Sequence, residues 1–441
     1  MSSLTAYADN NEDERMTNAS NIINFSQKRK ISYTSIILWG FLIFFLLLMR
    51  DSFSVGINKY IFLGIICICA VSMKTTHLIY LFCFLFPLYV GLPGNYMTLV
   101  LIVRLIFEVR RFRVSSFMLS LAIAVYMFAQ NIITEYTGIV PMMFIAGVVL
   151  IFLLFTYKQD LESTPMILMY SAGVAALGFI MLFSTLRVHD LSALMSTAFR
   201  LGTSNADYAT EGIMRVSVDP NYYGMFSITS ISMAFPLIIQ PKTKPIVRIC
   251  LSIFVLTQLI VSLIGLSRAF ILVFVVWILM YLMSQKNFKG TIIALIAIIA
   301  IVSILVNFMP NVLETVLARF DDSDMITGNG RITIIQKYWN EYSGSLGTIL
   351  FGVGLYNCNV HCMPLQFLFG GGLVMFILVT ALFFSYIESK MSRRTLFDLL
   401  PFIVTFTMMC SVPAAGLLNS MFPLVLIGLS TYNMEEKRIV G

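Results

Sequence analysis

Charge is what this sequence has least of. Lys, Arg, Asp and Glu make up 12% of its 441 residues, about half the ~25% of an ordinary soluble domain. So thin a charged coat excludes water as the solvent for most of the chain. It also excludes a separate large soluble domain. Histidine is scarcer still, with three copies, so acid–base chemistry near neutral pH has few imidazoles to draw on. The phosphate-binding pattern G-x-x-x-x-G-K-[ST] is missing, which removes the usual nucleotide-driven engines and leaves a gradient or the substrate itself as the energy source. No internal repeat of the kind that builds secondary transporters is visible. Of the seven cysteines, Cys67, Cys69, Cys83, Cys250 and Cys410 fall in apolar runs, where a thiol acts as a small hydrophobe.

What is abundant is apolar surface. Hydrophobic residues make up 59% of the sequence and the mean hydropathy is +0.88. With about 20 residues needed to cross a bilayer, the length admits up to about fourteen spans. Apolar runs place them near 32–49, 60–73, 76–91, 95–109, 115–131, 138–156, 165–184, 222–240, 249–265, 269–283, 291–308, 363–387, 396–411 and 416–432. The second, fourth and tenth runs are short enough to be partly re-entrant. Residues 1–30 are polar and end in Lys28-Arg29-Lys30 before a run long enough to span. They read as a disordered tail with a basic anchor, not as a cleavable signal.

The net charge of +7 would suggest nucleic acid in a soluble protein; here its distribution matters instead. With the N-terminus inside, alternate loops collect Lys28–Lys30, Arg110–Arg113, Lys242–Arg248, Lys286–Lys289, Lys390–Arg394 and Lys437–Arg438, together with Arg15, Lys74 and Lys158, while nine of the 29 Lys and Arg fall on the other side. Positive charge marks cytoplasmic loops, so both termini are expected in the cytoplasm. Arg104 falls inside the fourth run, from which it can snorkel to the cytoplasmic side. The expected organisation is therefore a tail (1–30), N-terminal helices (31–184), an extracytoplasmic loop (185–221), central helices (222–308), a larger extracytoplasmic loop (309–362) and C-terminal helices with a short tail (363–441). Connections as long as the two loops are usually functional.

Four polar segments interrupt the second half. In Asp219-Pro220-Asn221 a carboxylate caps a helix whose first position is Pro220, a structural role, and Asn221 is the member less easily explained. In Gly265-Leu266-Ser267-Arg268 an arginine sits between two apolar runs, which marks a functional site unless it only snorkels to the headgroups. Gly328-Asn329-Gly330 makes a turn that presents Arg331 near a helix start, able to grip an anion such as pyrophosphate or simply solvated. The fourth runs from Gly352 through Asn357, Asn359, His361 and Cys362 to Gly370-Gly371-Gly372. There His361 suits general-base work on a hydroxyl or serves as a hydrogen-bonded structural residue, and the glycines allow close approach of a helix or lipid chain or merely pack. Cys358 and Cys362 flank the histidine. A disulfide between them is conceivable in an oxidising compartment, unpaired thiols are the expected state, and no second ligand cluster completes a metal site.

Taken in order, D-P-N-x-x-G, G-x-S-R, a Gly-Arg in the larger loop and G-x-G-x-x-N-x-x-x-H resemble the O-antigen ligase and polymerase superfamily, the Wzy-type and WaaL-type enzymes. The resemblance covers roughly residues 200–375. Cys362 stands after His361 where the family pairs its histidine with asparagine. The resemblance implies an all-α, GT-C-like polytopic membrane protein of about fourteen helices. It implies metal-independent, inverting glycosyl transfer without a cofactor, from undecaprenyl-diphosphate-linked oligosaccharide on the outer face of the bacterial inner membrane. On it, His361 activates the acceptor hydroxyl while Arg268 and Arg331 hold the departing diphosphate. Arg215, Arg200 and Arg319 contact glycan or phosphate, with Asp219, Asn221, Asn357 and Asn359 lining the substrate site. Membrane lipids, a chain-length regulator and a flippase of the same pathway are the further expected partners, and nucleic acid is not one. A polymerase of O-antigen, capsule or exopolysaccharide repeat units is favoured over a ligase to lipid A-core because the sequence around His361 diverges. A lipid-linked oligosaccharide flippase would need charge through both halves, which the N-terminal half lacks.

Overall fold

The computed structural model describes residues 34–108, 114–133, 140–157, 161–187, 218–265, 267–284, 331–391, 396–412 and 421–430, with positions 292 and 303. Among them every regular element is helical. Helices α1 (Thr34–Ser52), α2 (Lys59–Ser72), α3 (Thr75–Leu85), α4 (Gly94–Glu108), α5 (Val114–Ile133), α6 (Val140–Tyr157) and α7 (Ser163–Leu186) form the N-terminal half. The second half holds α8 (Pro220–Ile239), α9 (Pro245–Ile264), α10 (Arg268–Ser284), α11 (Arg331–Tyr342), α12 (Leu346–Phe351), α13 (Met363–Met391), α14 (Leu396–Met409) and α15 (Met421–Ser430). Six of these, α1, α5, α7, α8, α9 and the first 23 residues of α13, are long and apolar enough to cross a membrane. This is the signature of a polytopic membrane protein, since a helix satisfies its own backbone groups in a solvent that cannot.

The third apolar run, 76–91, is not one span. Helix α3 stops at Leu85 because Pro87 has no N–H to carry the ladder on. The chain then turns through Leu88 N–H to Leu85 O (3.0 Å) and a 3₁₀ turn at Tyr89–Gly91 before α4 begins. Phe86 and Leu88 are nonetheless buried, and Phe86 stacks on Phe422 of α15 with ring centroids 4.0 Å apart. The eleventh run, 291–308, falls outside the described residues apart from positions 292 and 303. Arg104 forms an i,i+4 ion pair with Glu108 at 3.0 Å.

Hydroxyl and amide groups set the relative directions of the central helices. Ser230 donates to Ser171 (2.8 Å), Tyr223 faces the Val174 carbonyl and Gly178 packs on the Tyr223 ring, so α7 and α8 are antiparallel. The Thr229–Thr405 hydroxyl pair (2.8 Å) and the approach of Met408 to Gly224 make α8 and α14 antiparallel. Gln258 donates to the Ser171 carbonyl (2.8 Å) and Val261 meets Gly178, which runs α9 alongside α7. Between membrane helices the hydrophobic effect supplies little, and such hydrogen bonds contribute about 0.6 to 2 kcal/mol each. The result gathers the ends of α7, α9 and α14 with the starts of α8 and α10 at one end of the bundle. Lys242, Lys244 and Arg248 lie at the opposite end, where Arg248 caps the Ile238 carbonyl at 2.9 Å.

Candidate active site

The first two polar segments meet at the gathered end. Asp219 caps α8 with Oδ1 accepting from Asn221 N–H at 2.7 Å, and Pro220 takes the first helical position. Asn221 has the less expected role. Its Oδ1 accepts from Ser267 Oγ at 2.8 Å, and the same hydroxyl oxygen accepts from Phe270 N–H at 3.2 Å, capping α10. Two helix starts 46 residues apart in sequence are thus tied by one hydroxyl that serves both. Beneath them Gly224 leaves room for Phe270 and Met408. Arg268, the first residue of α10, is half-buried beside this joint and has no ion-pair partner among the described residues.

The last two segments form a second assembly beside it. Arg331 opens α11, whose Tyr342 and Trp339 pack on Phe369 of α13. Tyr338 donates to the Asn357 carbonyl at 2.9 Å. This seats α11 on the histidine segment, where the Cys362 thiol is drawn down to about 7 by the Cys410 side chain first, then by the Leu365 backbone and the Arg331 charge. Like Arg268, Arg331 is half-buried without an ion pair among the described residues. His361, Asn357 and Asn359 are exposed at the mouth of α13. Met408, near the end of α14, meets Gly224 of the first assembly. Arg200, Arg215 and Arg319 lie outside the described residues.

The glycine triplet lets the chain's own backbone and helix α5 come close. At Gly372 (φ 76°) α13 breaks, and the gap is filled by the Phe351–Gly354 segment of the same chain. A Cβ on Gly352 or Gly372 would collide with the backbone of the other segment, and both have the positive φ that favours glycine. Val353 N–H and Gly354 N–H donate to the carbonyls of Phe369 and Gly370, each at 3.0 Å. Gln130 of α5 donates to Phe351 O (2.6 Å) and Gly370 O (2.9 Å), and the Tyr126 hydroxyl reaches Gly371 O (2.6 Å). Unwound backbone at membrane depth must be satisfied in this way by protein. Gln130 and Tyr126 were not expected as site residues. Their only sequence signal is an amide and a phenol late in an otherwise apolar helix.

A buried ion pair also escapes the sequence reading, in which Arg50 belongs to a loop. It lies in the last turn of α1, with Nε and Nη2 donating to both Asp51 carboxylate oxygens at 2.7 and 2.8 Å. The pair is almost fully buried. Ser52 bonds Ser184 at 2.7 Å, and Arg187 donates to the Ser52 carbonyl while lying over Phe53. This locks the ends of α1 and α7 together at the same end of the bundle as the polar segments. All seven cysteines are free, and Cys358 is buried in the apolar cluster under α11. Comparison with protein-family models, curated proteins and solved structures gives no match to this chain.

Proposed function

We propose that this chain is a membrane glycosyltransferase that joins undecaprenyl-diphosphate-linked oligosaccharide repeat units into a polysaccharide on the outer face of the bacterial inner membrane. The observation that carries the reading is the Asn221–Ser267 hydrogen bond. It joins the D-P-N and S-R segments, two of the four that carry the resemblance. Arg268 and Arg331 are half-buried without carboxylate partners among the described residues, and His361 is exposed. That combination suits a substrate whose leaving group is a diphosphate and whose acceptor is a hydroxyl.

In the reaction, the acceptor oxygen attacks the anomeric carbon from the face opposite the diphosphate, inverting its configuration. His361 takes the acceptor proton, and the lipid diphosphate departs with the electron pair of the broken C–O bond. Arg268 and Arg331 hold the charge that grows on its oxygens. The bond to phosphate carries the energy, so no nucleotide is consumed and no cofactor enters.

The test is surface-glycan electrophoresis of a deletion strain, with lipid-linked intermediates extracted in parallel. We expect the strain to carry a single repeat unit on its acceptor, long chains to return with the intact gene, and neither His361→Ala nor Arg331→Ala to restore them at equal membrane levels. Loss of one charge-stabilising donor costs about 100- to 1000-fold in rate. Arg268→Lys should recover part of the product, because the bidentate fork is lost while the charge remains. Normal chains from both alanine variants would remove the site assignment. Long chains stranded on undecaprenyl diphosphate would make the protein a ligase, and repeat units trapped on the cytoplasmic face a flippase.

A further inference from the structure

The segment that leads into the histidine loop carries apolar surface that the described residues leave open. Ile332 and Trp339, on one side of α11, are 53% and 50% exposed, and Leu346 and Phe351, at the two ends of α12, are 72% and 50% exposed. That side of α11 borders the stripe of Ile335, Tyr338 and Tyr342 that packs toward Phe369. Exposed Thr333, Lys337 and Glu341 lie on the other side. An apolar flank set against a polar one is the pattern of a helix lying in a membrane surface, the level that tryptophan favours.

Hydrogen bonds fix the depth of α12. Its last carbonyl, on Phe351, accepts from Gln130 (2.6 Å) and Tyr126 (3.1 Å) of α5, and Gln130 also holds the Gly370 carbonyl of α13 at 2.9 Å. Helices α5 and α13 are both long and apolar enough to cross a membrane. Gln130 lies three residues inside the end of α5 and Gly370 seven residues inside the start of α13. With a rise of about 1.5 Å per residue, the Phe351 carbonyl sits about 5 Å inside the first helix and about 10 Å inside the second. The exposed Phe351 ring stacks on Tyr126 with centroids 6.4 Å apart, so its surface continues the α5 face on which Val125 and Phe128 are exposed. The other end of α12 is polar: the exposed turn at Ser343–Ser345 precedes it, and Ser345 Oγ accepts from Thr348 N–H at 3.1 Å.

We propose that α11 and α12 form a hairpin embedded in the membrane surface, with lipid acyl chains as the partner of its apolar side. Helix α11 lies along the interface on its Ile332–Trp339 flank, and α12 dips from the polar turn at Ser345 to Phe351 among the chains. Both ends of the short helix are equipped for this, one capped by its own side chains and the other held by α5, as backbone leaving water requires. The hairpin thereby holds the loop that bears His361 at the level of the lipid headgroups. The proposal stands on exposure and on the α5 hydrogen bonds and does not require glycan transfer.

The experiment reconstitutes the full-length protein in phosphatidylcholine vesicles whose acyl chains are either plain or brominated near the headgroup, bromine being a short-range quencher of indole fluorescence. The sequence holds three tryptophans, so the Trp339 signal is the difference between the intact protein and Trp339→Phe. Combining Trp39→Phe with Trp277→Phe isolates it a second way. In the Trp339→Phe background, Phe128→Trp on the exposed face of α5 sets the loss of emission shown by a ring in contact with lipid. We expect Trp339 to lose a comparable share of its emission in brominated vesicles, and Phe351→Trp, in the same background, to lose at least as much. Equal emission from Trp339 in the two kinds of vesicle would overturn the proposal, as would a loss no larger than that of Trp277, which is buried within the protein. The difference between the intact protein and Trp339→Phe decides this even where Trp277→Phe fails to fold.

Discussion

The thiol of Cys362 is drawn down to about 7, by the Cys410 side chain first and then by the Leu365 backbone and the Arg331 charge, against the opposing effect of burial. Cys358, four residues earlier, lies under α11 in an apolar cluster, where burial pushes its thiol up to about 12. The sign follows directly: lowering a thiol's pKa puts thiolate into the neutral range, and raising it removes thiolate there. In the reduced protein, the alkylation rate at Cys362 followed by peptide mass spectrometry should therefore rise with pH and level off above about 7. Arg331→Met should move that inflection upward, and Cys358 should stay unreactive at neutral pH. A Cys362 profile inflecting near the ordinary thiol value of about 8.5 would show that none of these neighbours acts on it. Residues whose roles are local were the legible ones. The Asp219 cap follows from Asp-Pro at a helix start, and Arg331 at the head of α11 follows from the Gly-Asn-Gly sequence that precedes it. The Asn221–Ser267 bond was not legible, because it depends on how two helices pack and no spacing within either segment encodes it.

Among the elements, the break in α13 is a structural commitment that the neighbouring α5 underwrites. Gln130 places both amide hydrogens on carbonyls of the two paired segments, Phe351 and Gly370. Gln130→Leu keeps the size and apolar character of the helix but withdraws both donors. Leaving a buried polar group short of a partner costs about 1–3 kcal/mol. We expect a lower apparent Tm for the detergent-solubilised variant, and an unchanged Tm would mean that the loop and helix hold each other without α5. The Arg50–Asp51 pair gives a second test. Asp51→Ala strands a nearly buried guanidinium, a change that costs about 3–5 kcal/mol in comparable sites. Replacing both residues by Met and Asn should cost less than Asp51→Ala alone, with folded yield in detergent as the measure; an equal or larger loss would show that the guanidinium charge is not what destabilises the single variant. The positions of the helices were largely legible from apolar run length, because lipid imposes length and composition together. The interruptions were not: Pro87 ends α3 within a run that reads as continuous, and the polar residues that staple α1 to α7 look like ordinary loop residues in the sequence.

At the scale of the whole molecule, helix packing sorts charge and chemistry to opposite ends. The starts of α8, α10 and α13 and the ends of α1, α7 and α14 share the end that bears Arg268, Arg331 and His361, while the α8–α9 turn carries Lys242, Lys244 and Arg248 at the other. The basic turn should be cytoplasmic because positive loops are retained there. On that orientation the candidate site would face outward, where the proposed polymerase would meet a flipped lipid-linked glycan. Two positions report the ends: exposed Ser345, between α11 and α12, and partly exposed Thr243, in the α8–α9 turn. With the native cysteines replaced, Ser345→Cys should react in intact spheroplasts with a membrane-impermeant maleimide. Thr243→Cys, which is partly exposed, should react only after the membrane is opened. Labelling of Thr243→Cys alone in sealed spheroplasts would turn the molecule over and place the candidate site in the cytoplasm. The arginines and the histidine would then face nucleotide-linked sugars instead of a flipped lipid-linked glycan, and the proposed polymerase would lose its substrate. Labelling of both positions would show that the two turns do not lie on opposite sides of a membrane, against the helix directions set by the Ser171–Ser230 and Thr229–Thr405 bonds.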